Sequence, residues 1–268
     1  MINILNILKK LESIFMKQAI KKNRHILISL TTLLILLLLW ELILRIFNVS
    51  KLVLIKPSTI LNRLIEDRDI ICGELLYTVT EIIPGWAIGN ILGFVLAILI
   101  YRNSILSNSL IKSSVLINSI PLIALTAILG GIMGTDKDLK ILIVSILVFF
   151  PIFITTLTQL NKVDSGHKDL MYSYSATDNE ILFKILLPKS LPAVLNSIKV
   201  SVVTAIFTAI TAEFFGGYGG IGIFILSKKG LFNLELVWAS IFAIAIFGSI
   251  FYFSVECIQK KLVPWQRS

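Results

Sequence analysis

Six apolar runs punctuate the chain, at residues 26–47, 79–101, 107–133, 139–160, 191–213 and 234–257. Each is near the roughly 20 residues that a helix needs to cross a hydrocarbon core of about 30 Å. Nothing alternates with the two-residue period of an outer-membrane strand. The pattern predicts an all-α polytopic membrane protein with one transmembrane domain over residues 26–258, flanked by segments 1–25 and 259–268. The fourth and fifth runs are separated by residues 161–190, which are polar yet helix-forming. A segment of that kind between two spans is suited to touching something in the water.

Inside the runs, small and helix-breaking residues add detail. Gly85, Gly89 and Gly93 recur at four-residue spacing, so their bare backbone forms one stripe that a second helix can approach closely. Asn118-Ser119-Ile120-Pro121 interrupts the third run, because proline lacks a backbone donor and leaves a carbonyl to be satisfied by protein or by a wet cavity. A kinked helix beside a pathway and a purely structural kink both fit. Ser58, after Pro57, is placed to cap a short helix before the second run. The stretch from Phe214 to Gly222 contains Gly216 and Gly217 and predicts a turn or a partly re-entrant segment. Residues 1–23 carry Ile4, Leu5, Ile7, Leu8, Leu11, Ile14 and Phe15 at helical spacing with lysines between. They fit an interfacial amphipathic helix, or a basic flank that sets orientation.

The loop at 161–190 reads as two short helices. One runs from about Ser165 to Ser175. Thr177-Asp178-Asn179-Glu180 then has capping-box spacing, in which the threonine oxygen accepts from the backbone three residues on and the glutamate reaches back. A second helix follows, with Ile181, Leu182, Ile185 and Leu186 on one side. Pro188 disfavours its continuation, and Pro192 suits the first turn of the fifth span. Tyr172, Tyr174, Ile181 and Phe183 give the loop an apolar, aromatic character suited to a partner's groove.

Composition narrows the class. With 56% hydrophobic and 15% charged residues and a mean hydropathy of +0.89, the chain has too much apolar surface for a soluble domain. The net charge of +9 is no nucleic-acid footprint, because its distribution follows topology. Lys9, Lys10, Lys17, Lys21, Lys22 and Arg24 precede the first run, which predicts a cytoplasmic N-terminus. Six spans return the C-terminus to that side, where Lys260, Lys261 and Arg267 agree. Cys72 and Cys257 then fall on opposite membrane sides, so no disulfide is expected. No metal-ligand spacing is present, and His25 and His167 are isolated. The first run is full length and follows a long charged segment, so no cleavable signal peptide is expected. Glu41, Glu81, Lys199 and Glu213 lie within or at the ends of runs, where charges are expensive and default to functional candidates. Glu213 fits a pathway or outer-gate residue, or a brace for the glycine-rich backbone. Lys199 is placed to snorkel to the inner surface, Glu41 to face a neighbouring helix or the outer interface, and Glu81 to be wet at the outer start of the second run.

The loop resembles the cytoplasmic "EAA" loop of binding-protein-dependent ABC importer permeases with a MetI-like transmembrane domain. Asp169 stands at the family's acidic position, Ser175 at its glycine, Ala176-Thr177 at its Ala-Ser and Leu187-Pro188 at its closing pair. Lys56-Pro-Ser, Asn118-Ser-Ile-Pro121, Phe149-Phe-Pro-Ile-Phe153, Ala212-Glu213-Phe-Phe-Gly-Gly and Gln259-Lys-Lys-Leu-Val-Pro-Trp265 match the nitrate, sulfonate and taurine subgroup, which also includes permeases for pyrimidine or riboflavin-type vitamin precursors. The resemblance implies a multi-pass protein of the bacterial cytoplasmic (inner) membrane. It implies a pore of two permease subunits, a second copy of this chain being expected. A cytoplasmic ABC ATPase dimer would dock on coupling-loop residues Asp169, Tyr172, Tyr174, Ser175, Ala176, Thr177, Glu180, Leu182, Leu187 and Pro188. A periplasmic or lipid-anchored binding protein would deliver the solute. Asn118, Ser119, Pro121, Glu213, Gly216 and Gly217 become pathway or gate candidates. No Gly-x-x-x-x-Gly-Lys-Ser/Thr phosphate loop occurs in these 268 residues, so no enzymatic activity and no bound cofactor are expected of the chain, ATP and Mg belonging to the partner.

Two rival classes remain. An ion-coupled secondary transporter of a small metabolite calls for buried ionisable residues near the midplane and internal repeats, and neither is legible here. A membrane scaffold would need neither the interrupted third run nor the loop.

Overall fold

The computed structural model of the protein describes residues 28, 31–118, 120–162 and 165–264. The segment 1–25 lies outside the described residues, as does Ser119. The described residues are helical, with no strand among them. The chain divides into two units, Met1–Arg63 and Leu64–Ser268.

In the first unit, helix α1 (residues 31–46) shows Leu34, Leu36, Leu38 and Leu42 on its surface, as a lipid-facing helix does. Helix α2 (Pro57–Glu66), of which residues 57–63 belong to this unit, begins with proline in its first turn, where the missing N–H costs nothing. Ser58 is therefore inside the helix and does not cap it, contrary to the expectation from spacing. The α2 start is instead held from α1. Glu41 Oε2 accepts from the Ser58 backbone N–H at 3.0 Å and Oε1 from the Ser58 hydroxyl at 2.9 Å. Arg45 pairs with the same carboxylate at 2.8 Å.

The second unit is organised by α3 (Arg68–Ile100) and α6 (Lys137–Asn161). A Cβ built on Gly85 would lie 2.7 Å from Val144 Cβ, one on Gly89 would lie 2.5 Å from the Ser145 carbonyl oxygen, and one on Gly93 2.7 Å from that of Phe149. The three glycines thus form a seam along which α6 touches the α3 backbone directly. Pairings rise together in both helices, so α3 and α6 run parallel. The chain between them must return from one end of the seam to the other.

It does so in two pieces. The third run was expected as one span over 107–133, but it forms α4 (Ser104–Asn118) and α5 (Leu122–Met133). Pro121 lacks an N–H and sits extended at φ −61°, ψ 126°, and it disfavours helical geometry in the residue before it. The result is a break, not a kink. Leu110 and Ile111 of α4 pack beside Ala97, Phe153 and Leu157, whereas Leu122 and Leu129 of α5 pack beside Leu139, Ile143 and Ala212. The two pieces therefore lie at opposite ends of the seam.

Helix α9 (Leu187–Glu213) runs antiparallel to the seam and packs Ala205 and Ala209 against Ile82, Val144 and Val148. Hydroxyl and indole groups stitch it down. Trp86 Nε1 donates to Ser201 Oγ at 2.9 Å, and Thr155 donates to Ser197 at 3.3 Å. After the glycine-rich turn comes α10 (Ile221–Gly230), then α11 (Leu234–Leu262). Helix α10 was not anticipated. Ile221, Phe224 and Ile225 bury one face and Lys228 and Lys229 close its last turn, a pattern too short to register as a span. Among the described residues four helical segments are long and apolar enough to cross a membrane: α3, α6, α11 and the continuous stretch Asp178–Glu213. Cys72 and Cys257 are both free and exposed, near opposite ends of the bundle.

The seam makes a direct prediction. Gly89→Leu should destabilise the bundle by about 2 kcal/mol through overpacking, read as a lower thermal midpoint in detergent. Gly73→Ala, where an added Cβ meets nothing within 4 Å, should leave the midpoint unchanged or raise it.

Candidate functional site

The loop between α6 and α9 is built from two helical caps in succession. Helix α7 (Ser165–Ser173) ends in a Schellman turn: Ala176 N–H donates to Met171 O at 3.0 Å and Ser175 N–H to Tyr172 O at 2.9 Å. Such a turn needs a left-handed residue between them, and Ser175 has φ 59°. Two residues on, the capping box is formed. Thr177 Oγ1 accepts from Glu180 N–H at 3.3 Å, and Thr177 N–H donates to Glu180 Oε2 at 3.0 Å. Helix α8 (Asp178–Ile181) starts there.

Lys184 lies 2.8 Å from Glu180. With the Thr177 donors it holds the Glu180 carboxyl down at about 2, from an ordinary 4.5. A depressed carboxylate contributes its stability above the unfolded value and loses it as pH falls through the folded one, so the box should open only between about 4.5 and about 2. The Tyr172 hydroxyl donates to Asp178 Oδ1 at 2.7 Å and staples α7 to α8. That bond, with partial burial, raises the phenol above its usual range.

Pro188 does not end the second helix. A π-helical segment, Leu182–Leu186, joins α8 to α9, and Leu187 N–H donates to Leu182 O, five residues back. The wider turn shifts the ladder immediately before Pro188, so that its missing N–H falls in a fresh first turn. The loop thus passes rigidly into the spanning helix, with Pro188 half-buried. Ile181, Leu182 and Leu186 are buried with Leu160 of α6, and Ile98, Tyr101, Met171, Ala176 and Leu187 pack around them. Ile181 and Leu182 therefore anchor the loop and are not available to a partner's groove. Arg102 also hydrogen-bonds Asn179. What faces outward is Leu170, Tyr174 (77% exposed) and Phe183 (61%). Asp169 and Thr177 are exposed as well.

At the other end of the seam, one turn beyond Gly85, lies a buried charged cluster. Glu81 is fully buried, not wet as its place in the run suggested, and Lys140 of α6 lies 3.3 Å from Glu81 Oε1. Neither Glu81 oxygen nor the Lys140 ammonium has an aligned hydrogen bond. Glu213 is buried beside Glu81 and accepts from Thr78 Oγ1 at 2.6 Å and from Gly222 N–H at 2.5 Å. Glu74 Oε2 accepts from Gly220 N–H at 2.9 Å and Thr78 Oγ1 from Ile221 N–H at 2.8 Å. The first turn of α10 is therefore capped by side chains of α3 and α9. Gly216 and Gly217 have φ 123° and 139°. Lys140 escaped the sequence reading because, in Lys137-Asp-Leu-Lys140, it resembles a flanking charge at a span's edge. Lys199 lies over the Tyr252 ring at 5.3 Å. Asn118 and Pro121 mark the α4–α5 break, and Leu122, next to Pro121, packs in the cluster that holds Leu139 and Ala212, the chain neighbours of Lys140 and Glu213.

Known proteins resemble this chain along most of its length. Residues 89–268 match the family described as binding-protein-dependent transport system inner membrane component. The chain belongs to this family. Among its relatives, the formylaminopyrimidine transport permease protein ThiX of Halalkalibacterium halodurans is 26% identical, covering 87% of this chain and 94% of the relative. The putative aliphatic sulfonates transport permease protein SsuC of Bacillus subtilis is 26% identical over 87% of this chain and 86% of its own length. The taurine transport system permease protein TauC of Escherichia coli is 22% identical over 96% of both. The fold is shared with the methionine ABC transporter MetNI in an inward-facing conformation, at a TM-score of 0.56, 18% identity, and 70% coverage of this chain and 92% of that one. As an ABC permease component, the chain is a multi-pass membrane protein of a class that is typically non-enzymatic.

For the turn in this permease, Ser175→Gly should remove a left-handed serine and stabilise the loop by about 1 kcal/mol, seen as slower amide exchange at Ser173–Thr177. Ser175→Val should do the reverse.

Proposed function

We propose that the chain is the pore-forming subunit of an ATP-driven importer and that residues 161–190 receive the motion of a separate cytoplasmic ATPase dimer. The observation that supports this most is the loop's mounting. Its outward face of Leu170, Tyr174 and Phe183 rests on Ile181, Leu182 and Leu186, which pack directly on the ends of α3 and α6. The loop also continues without a break into α9. A push on that face is thus a push on three spanning helices. Asp169, Tyr172, Ser175, Thr177 and Glu180 shape or border the face, whereas Ala176, Leu182, Leu187 and Pro188 hold it in place.

The transmembrane domain in this reading is residues 26–258, with α1, α3, the α4–α5 pair, α6, α9 and α11 as six crossings. The parallel run of α3 and α6 supports the α4–α5 pair as one return. The loop and the lysine-bearing end of α11 then share the cytoplasmic side of a bacterial inner membrane, as does the basic N-terminal segment. A second copy of the chain completes the pore, and a periplasmic or lipid-anchored binding protein delivers the solute. ATP and Mg act on the partner. The relatives suggest a small sulfonate such as taurine or a vitamin precursor such as a formylaminopyrimidine as cargo, and these form the natural panel of probes.

The test is made on the exposed face. Tyr174→Ala with Phe183→Ala should leave expression and thermal midpoint unchanged but abolish co-purification with the cognate ATPase, or its coupled stimulation. Unaltered complex and coupling in that double variant would refute the assignment. Ala176→Arg is a poorer probe, because Ala176 packs inside the loop's own cluster.

A further inference from the structure

The cluster at the far end of the seam ties α3, α6 and α9 to the start of α10. Three successive backbone donors, Gly220, Ile221 and Gly222, are held by Glu74, Thr78 and Glu213, all from other helices. An ordinary helix start is capped by the side chain of its own N-cap residue. This one is held from a distance, across a turn whose Gly216, Gly217 and Gly220 all have positive φ. Beneath the turn, Lys140 lies so close to Gly217 that an added Cβ would come within 3.0 Å of its Cε. Ammonium and Glu81 carboxylate face each other at 3.3 Å, fully buried and without aligned hydrogen bonds.

Burying charges that are only partly compensated is costly, and water regains them if the turn lifts. The backbone bonds pull the other way. Opposed terms of this kind are what a two-state switching element requires.

We propose that residues 216–220 and the first turn of α10 form a latch over Glu81, Lys140 and Glu213, and that the latch must release for solute to pass. Lys140 is a positioning residue in this device: it sits under the turn and pairs with Glu81 without needing to touch cargo. The gating part of the inference rests on the importer reading, whereas the latch itself does not.

Two arms separate these. In the purified chain, amide exchange in residues 216–222 should quicken about tenfold or more in Glu213→Gln, and in Lys140→Met, with α6 and the loop at 161–190 unchanged. Equal exchange in wild type and both variants would overturn the latch, and uniform quickening throughout the bundle would overturn it in favour of a general structural role. In the second arm, Tyr77→Cys with Gly219→Cys, on a Cys72→Ser, Cys257→Ser background, closes a disulfide across the latch. A Cβ on Gly219 would lie 3.5 Å from Tyr77 Cγ, close to the position that a sulfur introduced at residue 77 would take. With ATPase and binding protein in proteoliposomes, and the probe panel above, the oxidised form should lose uptake and dithiothreitol should restore it. Full uptake by the quantitatively cross-linked form would overturn the gating role. Absence of uptake in the unlocked background would count against the importer reading instead, leaving the exchange arm to decide the latch.

Discussion

Everything in the second unit hangs on the contact between α3 and α6 at Gly85, Gly89 and Gly93. In lipid no hydrophobic force drives one apolar helix onto another, so close backbone approach and the dispersion contacts it permits must do that work. The seam fixes register as well as distance. It places Glu81 against Lys140 at one end and Ala97 beside Phe153 and Leu157 at the other. From Glu81 to Tyr101 along a helix is about 30 Å at 1.5 Å per residue, roughly the hydrocarbon thickness. The charged cluster and the loop's anchoring cluster are therefore the two ends of one rigid pair of helices.

That arrangement connects the proposed input to the proposed gate without a special pathway. Tyr101 and Leu160 meet the loop through Ile181, Leu182 and Leu186. Glu74, Thr78 and Glu81 on α3, with Lys140 on α6, meet the turn before α10. Helix α9 spans the same distance, leaving the loop through its π-helical turn and ending at Glu213. In the proposed mechanism, a tilt of these helices imposed at the loop is what changes the geometry of the cluster at the other end.

Much of this was legible from residue spacing, and the failures share a cause. The turn at Ser175 was legible only through the family resemblance, whereas the glycine stripe and the Thr177–Glu180 box are local features, each decided by neighbours within a few positions. The all-helical class followed from the apolar runs for the same reason. What spacing could not show was which buried group meets which. Glu81 looked wet because its run begins two residues earlier, yet α3 starts at Arg68 and carries it inside. Lys140 looked like a flank. Ser58 looked like a cap until Glu41, seventeen residues before it, took that role. Pro188 looked like a stop because a π-turn, which relocates the ladder ahead of proline, has no signature in hydrophobic period. Helix α10 was hidden among glycines because its first turn is capped from α3 and α9, and such long-range caps leave no trace in the local sequence.

The central claim is that motion enters this chain from outside, through the loop, and that the chain moves nothing alone. Reconstituted uptake of the solute panel measures that directly. With the cognate ATPase and binding protein, uptake should require ATP. The chain alone, facing an imposed proton or sodium gradient, should take up none. Gradient-driven uptake by the chain alone would contradict the account and favour an ion-coupled transporter.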